Sequence, residues 1–243
     1  MKKKKTKRNG FMYCVYTETG EYNKYTDECI KSIQSLKEQI PDASISVYTN
    51  ASLDELHNVS VIYDANITHT HIAKAYALLD SPYDKTVFID TDVLVNSANL
   101  NAIFDVLTDH TPFAGSPEVR NVWRATEPLK PEMINTGLLG VKKTEYTKKI
   151  LNEWIDLFHH LFNKRRESKD QVSFRRLMAR DFHRFYILPP WFHFRPSLFE
   201  KYIRHAFVTH NNRSSTKTSI HDHTDAVRVL IKRLEDYYSE LTS

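Results

Sequence analysis

The sequence is poor in the residues that build several common sites. Its 243 residues include only two cysteines, Cys14 and Cys29, so we expect neither a disulfide framework nor a zinc site. Only five glycines occur, and neither a Walker A loop nor a Gly-x-Gly-x-x-Gly motif is present. No run approaches the ~20 consecutive apolar residues that span a bilayer. A nucleotide, if one binds, therefore needs side chains or a metal, rather than a glycine-rich loop, to neutralise its phosphates.

Positive charge is concentrated at the N-terminus. The formal net charge is +4, and residues 2–8 alone hold more positive charge than that excess. We predict a disordered basic tail over residues 1–10, followed by a single domain over residues 11–243. Such a tail suits an anionic membrane surface or nucleic acid, although a merely solvated tail explains it equally well. The expected location is cytoplasmic, with at most peripheral membrane contact.

Short apolar runs typical of strands alternate with helical patterns along the chain. Strands are predicted over residues 11–17, 44–49, 59–63, 85–89, 133–141, 185–188 and 206–209. Helices are predicted over residues 25–39, 72–79, 99–107, 145–162, 171–180 and 225–238. The alternation predicts an α/β fold with a mostly parallel sheet flanked by helices. Ligands of such sheets bind beyond the carboxyl ends of the strands.

The strongest functional signal is Asp90-Thr91-Asp92, which follows the apolar residues 87–89. Two carboxylates at the end of a buried strand repel each other and are costly to desolvate. A divalent cation relieves both problems, because it binds carboxylate oxygens and can also bind a substrate's phosphates. We therefore predict a metal that holds a diphosphate. The alternative is that both carboxylates are solvated or cap the next element.

Three further motifs occur at informative places. Lys74 lies on the helix before Asp-x-Asp, residues 135–137 read Asn-Thr-Gly in a strand-like run, and Asp170-Gln171 begins a predicted helix. Each has a structural alternative. Lys74 could be a solvated lysine, Asn-Thr-Gly a turn at a strand edge, and Ser168-x-x-Gln171 a capping box.

The order and spacing of these motifs resemble nucleotide-sugar glycosyltransferases with the GT-A fold. The closest likeness is to glycosyltransferase family 8, which includes glycogenin and lipopolysaccharide galactosyltransferases. The resemblance covers roughly residues 11–217. It implies transfer of a sugar from a nucleotide donor, UDP-linked or else GDP-linked, to a hydroxyl acceptor with retention of configuration. It also implies Mn²⁺ as cofactor, with Mg²⁺ as the alternative.

The same resemblance implies roles for individual residues. The metal ligands are Asp90, Asp92 and His210, with His205 as the competitor for the histidine. The donor-binding residues are Thr17, Tyr25 or Tyr22, Lys74, Thr91, Gly137, and Arg213 or Lys217. The residues near the transferring sugar are Asn135, Asp170 and Gln171. The chain departs from the family after His210, where Asn211 stands in place of the usual glycine and no Lys-Pro-Trp follows.

Some assignments stay open. An inverting reaction would need a carboxylate base, for which Asp170 and Glu118 are the candidates. The aromatic residues 191–194 suit either an acceptor wall or core packing, because sugars present apolar faces to aromatic rings. Trp123, on a long polar loop over residues 117–131, is a candidate lid residue.

Two other functional classes compete with glycosyl transfer. A haloacid-dehalogenase-like phosphatase would also use Asp90 and Asp92 after an apolar strand. However, that family places its motif after the first strand, and no later Gly-Asp-x-x-x-Asp occurs here. A nucleic-acid-binding module is disfavoured because the excess charge is confined to one tail. The expected partners are thus a sugar nucleotide and a glycan or lipid-linked sugar acceptor, with no nucleic acid.

Overall fold

A computed structural model describes residues 7–16, 24–51, 59–63, 71–117, 134–193 and 208–210. For residues 7, 8, 63, 190 and 208–210 it describes the backbone alone. The long loop and the last helix predicted from the sequence lie outside these ranges, as do the first six residues of the predicted tail.

Strands and helices alternate as predicted, with modest shifts of their ends. The strands are β1 Lys7–Val15, β2 Ile45–Thr49, β3 Ser60–Tyr63, β4 Tyr83–Ile89, β5 Val93–Val95, β6 Phe113–Pro117, β7 Ile134–Lys142, β8 Phe185–Ile187 and β9 Val208–His210. The α-helices are α1 Lys24–Gln39, α2 Ala73–Asp80, α3 Ile103–Val106, α4 Glu145–Arg165 and α5 Asp170–Met178.

Seven strands form one mixed sheet in the order β3-β2-β1-β4-β7-β6-β8. Parallel pairs join β3 to β2, β2 to β1, β1 to β4, and β6 to β8, whereas β7 runs antiparallel to both β4 and β6. The predicted α/β fold with a mostly parallel mixed sheet is therefore confirmed. The short strands β5 and β9 form a separate antiparallel pair.

Side-chain alternation along β1 divides the core between the two faces of the sheet. Phe11, Tyr13 and Val15 pack into a cluster with the apolar faces of α1 and α3. Met12 packs on the other face, with the apolar residues of α2, α4 and α5. The helices thus cover both faces and leave the strand ends open, which is where a ligand can approach.

The boundary of the predicted tail at residue 10 is wrong. Strand β1 begins at Lys7, which pairs with Tyr83 of β4. Gly10 lies under the buried ring of Tyr83, and a Cβ there would come within 2.2 Å of that ring. The glycine therefore extends the strand beneath a large side chain, although Asn9-Gly10 looks like a turn in the sequence. Strand β6 was also not predicted.

Candidate active site

Asp90-Thr91-Asp92 forms a tight turn at the carboxyl end of β4. The Asp90 N–H donates to the carbonyl of Gly137 at 2.8 Å, and the Val93 N–H donates back to the Asp90 carbonyl at 3.3 Å. Thr91 and Asp92 therefore occupy the two central positions of a turn between β4 and β5. Backbone hydrogen bonds thus fix the turn that bears both carboxylates at the carboxyl end of β4.

Lys74 reaches this turn from α2 and is buried among oxygen atoms. Its Nζ donates to Asp90 Oδ1 at 3.0 Å and lies 3.5 Å from Asp170 Oδ2. The carbonyl and the hydroxyl of Thr136 each lie 3.4 Å from the same nitrogen. The side chain of Lys74 is 10% exposed and that of Asp170 is 8% exposed. One ammonium thus joins the turn to the start of α5.

Charge controls the protonation of Lys74. Burial alone would lower the pKa of its ammonium, but the carboxylates of Asp170 and Asp90 outweigh that effect and raise the pKa above its usual range. Lys74 is therefore a permanent cation at physiological pH. The alternative that Lys74 is only a solvated helix lysine is wrong, because the side chain is buried in an ion pair.

Thr136 is a member of this site that sequence reasoning missed. Its hydroxyl donates to Asp170 Oδ2 at 2.6 Å. Asn135, on which the prediction concentrated, is buried, and its Oδ1 accepts the N–H of Gly137 at 2.9 Å. The cavity described below is lined by Thr136, while Asn135 and Gly137 support the strand behind it. The Asn-Thr-Gly spacing was the available signal, but it does not tell which side chain faces the opening.

The first turn of α5 carries Asp170 at a fixed position. Trp154 of α4 is fully buried, and its Nε1–H donates to the Asp170 carbonyl at 3.1 Å. The Ser173 hydroxyl donates to the same carbonyl at 2.8 Å. The predicted capping box of Ser168 and Gln171 is wrong, because Lys169 is the N-cap and makes no side-chain cap bond. The indole and the hydroxyl anchor this helix start instead.

An open cavity of about 410 Å³ lies over these groups. Its lining brings together most of the predicted residues that the structure describes. They are Tyr25, Lys74, Asp90, Thr91, Asp92, Asp170 and Gln171. Residues that were not predicted complete the lining: Cys14, Tyr16, Glu28, His71, Thr136 and Lys169. The cavity opens between the ends of the parallel strands β1 and β4, where the order of the strands in the sheet reverses.

The backbone of His210 lies next to the Asp-x-Asp turn. In the β5–β9 ladder, His210 is the partner of Val93, the residue after Asp92. The other edge of β5 is held by α1, since the Ser32 hydroxyl donates to the Val93 carbonyl and the Ser35 hydroxyl accepts the Val95 N–H. Strand β5 thus fixes the register between the turn and the predicted histidine.

The lining carries more carboxylates than ammonium groups. Its acidic side chains are those of Glu28, Asp90, Asp92 and Asp170, and its lysines are Lys74 and Lys169. A diphosphate entering the cavity would be repelled unless a cation offset this excess. Oxygen ligands of this type fit a divalent cation such as Mn²⁺. Within the described ranges no three His, Cys, Asp or Glu side chains are grouped to hold a metal, and the His210 side chain is outside them.

Several predicted residues fall outside the description, and their roles stay predictions. They are Thr17, Tyr22, Glu118, Trp123, Phe194, His205, Arg213 and Lys217. The aromatic residues predicted to form an acceptor wall, 191–194, differ in burial. Phe192 joins the core, whereas Trp191 is 50% exposed. At Phe192 the core-packing alternative is therefore the correct one.

Solved glycosyltransferases share this fold. The galactosyltransferase LgtC, in complex with donor and acceptor sugar analogues, matches with a TM-score of 0.58 at 14% identity, over 84% of this chain and 87% of that one. A glycosyltransferase involved in the glycosylation of the major capsid of PBCV-1 matches with a TM-score of 0.53 at 15% identity, over 87% and 94%. The glycosyltransferase GlyE of Streptococcus pneumoniae matches with a TM-score of 0.60 at 16% identity, over 88% of this chain and 57% of GlyE.

The predicted resemblance to GT-A glycosyltransferases is thus confirmed at the level of the fold. No protein-family model and no curated protein matches the sequence. In the part of the chain that the structure describes, no helix has the length and apolar character needed to cross a membrane.

Proposed function

We propose that this chain is a metal-dependent glycosyltransferase that moves a sugar from a UDP-sugar to a hydroxyl group of a glycan or lipid-linked acceptor, with retention. The observation that carries the proposal is the acidic turn of Asp90 and Asp92 at the edge of a GT-A sheet, above an open cavity. The three solved structures reported above are glycosyltransferases, and one of them was solved with donor and acceptor sugar analogues.

Asp90, Asp92 and His210 would hold the cation in this proposal. When bound, Mn²⁺ or Mg²⁺ supplies Lewis-acid stabilisation of the charge that grows on the leaving diphosphate. Asp90 is suited to this role because Lys74 occupies only its Oδ1, and the side chain remains 27% exposed. Thr91, at the tip of the turn, would lie along the donor, whereas Gly137 would act from behind the cavity wall through its backbone bonds with Asp90 and Asn135.

Lys74 and Asp170 would act on the sugar end of the donor. The buried ammonium offsets the repulsion between the two carboxylates and holds them in place, and its positive charge would partly neutralise the phosphates. Asp170 and Gln171 begin α5 at the cavity wall, where a carboxylate and an amide can stabilise an oxocarbenium-like centre and bind its hydroxyls. Asn135 acts behind this wall, through the N–H of Gly137.

The base of the nucleotide would lie at the end of β1. Tyr25 lines the cavity at the start of α1, is 39% exposed, and can stack on a planar base. Contacts of Thr17 with the base and of Arg213 or Lys217 with the phosphates are part of this proposal. No observation favours the phosphatase alternative. Among the described strands, three precede the one that ends at Asp90, whereas the phosphatase motif follows the first strand.

A sugar-nucleotide hydrolysis panel tests this function. UDP-glucose, UDP-galactose, UDP-N-acetylglucosamine, UDP-N-acetylgalactosamine and GDP-mannose are each incubated with the protein in Mn²⁺ and in chelator. We expect Mn²⁺-dependent release of UDP from one donor, and a loss of at least about 100-fold in Asp92→Asn. The control Asp105→Asn, at an exposed aspartate of α3, should keep wild-type turnover.

The same panel discriminates between the alternatives. Release of phosphate from p-nitrophenyl phosphate without turnover of any sugar nucleotide would contradict the proposal and favour a phosphatase. For an active donor, proton NMR of the first-formed product assigns its anomer. An inverted product would remove the retention part of the proposal and leave glycosyl transfer intact.

A further inference from the structure

Within the described part of the chain, the hydrogen bond and the ion pair of the Asp170 carboxylate both involve the same oxygen. Oδ2 accepts the Thr136 hydroxyl at 2.6 Å and lies 3.5 Å from Lys74 Nζ. The same pattern occurs at Asp90, where Lys74 contacts Oδ1. Each carboxylate thus has one oxygen turned to the lysine, which leaves the second oxygen of each for a ligand in the cavity that both line.

Thr136 links the two charged groups through a single hydroxyl. Its Oγ1 lies 3.4 Å from Lys74 Nζ, from which it can accept, and it donates its hydrogen to Asp170. Thr136 is fully buried and lies on β7, within the sheet, whereas Asp170 lies on a helix. A strand hydroxyl therefore fixes the rotamer of a carboxylate that belongs to another layer of the fold.

We propose that Thr136 is a positioning residue of the transfer reaction, which acts by orienting the Asp170 carboxylate toward the donor sugar. This inference rests on the proposed function. Lys74 cannot replace Thr136 in this role, because an ammonium attracts the carboxylate from many directions, while a hydroxyl on a rigid strand defines one. Thr136 itself does not contact the reacting atoms in this arrangement.

Kinetics of Thr136→Val and Thr136→Ser test the proposal, with the donor that the hydrolysis panel identifies. Valine keeps the shape of threonine but has no hydroxyl, whereas serine keeps the hydroxyl. We expect Thr136→Val to lower kcat about 10- to 100-fold with little change in KM for the donor, because the misdirected group acts at the reacting centre. Thr136→Ser should stay within about threefold of wild type, since it retains the donor to Asp170.

Thr86→Val is the matched control. Thr86 is also a buried threonine, and its hydroxyl is 2.6 Å from that of Ser81, but it lies on β4 four residues before Asp90 and does not line the cavity. It should lose stability like Thr136→Val and keep wild-type kcat. Wild-type kcat in Thr136→Val, an equal loss in Thr86→Val, failure of Thr136→Ser to restore kcat, or an increase in KM alone would each overturn the positioning role.

A double-mutant cycle of Thr136 and Asp170, measured by Tm, separates this inference from the proposed function. Thr136→Val should lower Tm by about 2–4 °C in the wild type and by less than half of that in Asp170→Ala, because the hydrogen bond is already lost there. Additive Tm changes would refute the contact itself. If the wild type turns over no donor, the proposed function fails. In that case, non-additive Tm changes would show that the Thr136–Asp170 contact only stabilises the fold, and the positioning role in transfer would be overturned.

Discussion

Replacing Lys74 by methionine should destabilise the protein far more than a typical lysine substitution. The change keeps most of the side chain, which packs near the ring of Phe88, and removes the ammonium group with its charge and its hydrogen-bond donors. It leaves the carboxylates of Asp90 and Asp170 without the ammonium that lies 3.0 and 3.5 Å from them. Removing one partner of a buried ion pair costs about 3–5 kcal/mol because the other charge stays buried.

The exposure of the two carboxylates lowers this expected cost. Asp170 is 8% exposed and cannot recover solvation, whereas Asp90 is 27% exposed and partly can. We therefore expect a loss of about 2–4 kcal/mol in the free energy of unfolding. For a chain of this length, each kcal/mol corresponds to roughly 2–4 °C in Tm, so Tm should fall by about 5–15 °C.

Urea denaturation of chelator-treated protein at pH 7.5 measures the effect without a cation at the turn. Lys149→Met is the control, because its partner Glu153 is 3.8 Å away on the surface of α4 and such pairs contribute about 0.3–0.5 kcal/mol. Adding Asp170→Asn to Lys74→Met should restore stability, since it removes the stranded charge. A loss in Lys74→Met no larger than in Lys149→Met would refute the reasoning.

Three further predictions concern Lys74, Cys14 and Gly10. Because the folded pKa of Lys74 is raised, its contribution to stability is complete below the unfolded lysine pKa of about 10.4 and is lost only at higher pH. The stability difference between wild type and Lys74→Met should therefore be constant from pH 7 to 9 in urea titrations; a decline in that range would contradict it. Burial raises the pKa of the Cys14 thiol to about 12, with Lys74 lowering and Asp90 raising it, so iodoacetamide at pH 8 should label Cys14 only after unfolding. Labelling of the folded protein, seen by mass spectrometry, would refute this. Gly10→Ala should cost about 1–3 kcal/mol in urea denaturation, because its Cβ displaces the Tyr83 ring. In a Tyr83→Ala background, Gly10→Ala should cost almost no further stability. A cost there equal to that in the wild type would contradict the steric cause.

Local patterns in the sequence were sufficient for the main elements of the fold. Apolar runs and turn residues located β4, and Asp90 at its end, because a buried strand needs consecutive apolar side chains. The helical period located α4 within a few residues. Strand β6 escaped prediction because Phe113–Pro117 is short and holds a glycine and a proline, and its place in the sheet depends on pairing with β7.

The candidate site was predictable only in part, because its contacts join distant segments. The sequence identified Lys74, Asp90 and Asp170 as separate candidates, and the family resemblance implied that they belong to one site. Nothing in the sequence shows that one ammonium lies between two carboxylates, or that the hydroxyl of Thr136 completes the arrangement. Such contacts follow from where α2, β7 and α5 meet.

This shared ammonium affects how any mutation in the site must be interpreted. A loss of activity in Lys74→Met would not by itself identify Lys74 as a donor ligand, because the same change releases Asp90 and Asp170 from their positions. Adding Asp170→Asn to Lys74→Met relieves the repulsion between residues 90 and 170, but the positive charge of Lys74 is still absent. If the double variant recovers stability but turns over donor more slowly than Asp170→Asn alone, the ammonium itself acts on the donor phosphates. If the double variant and Asp170→Asn turn over donor equally, Lys74 serves mainly to hold the carboxylates in place.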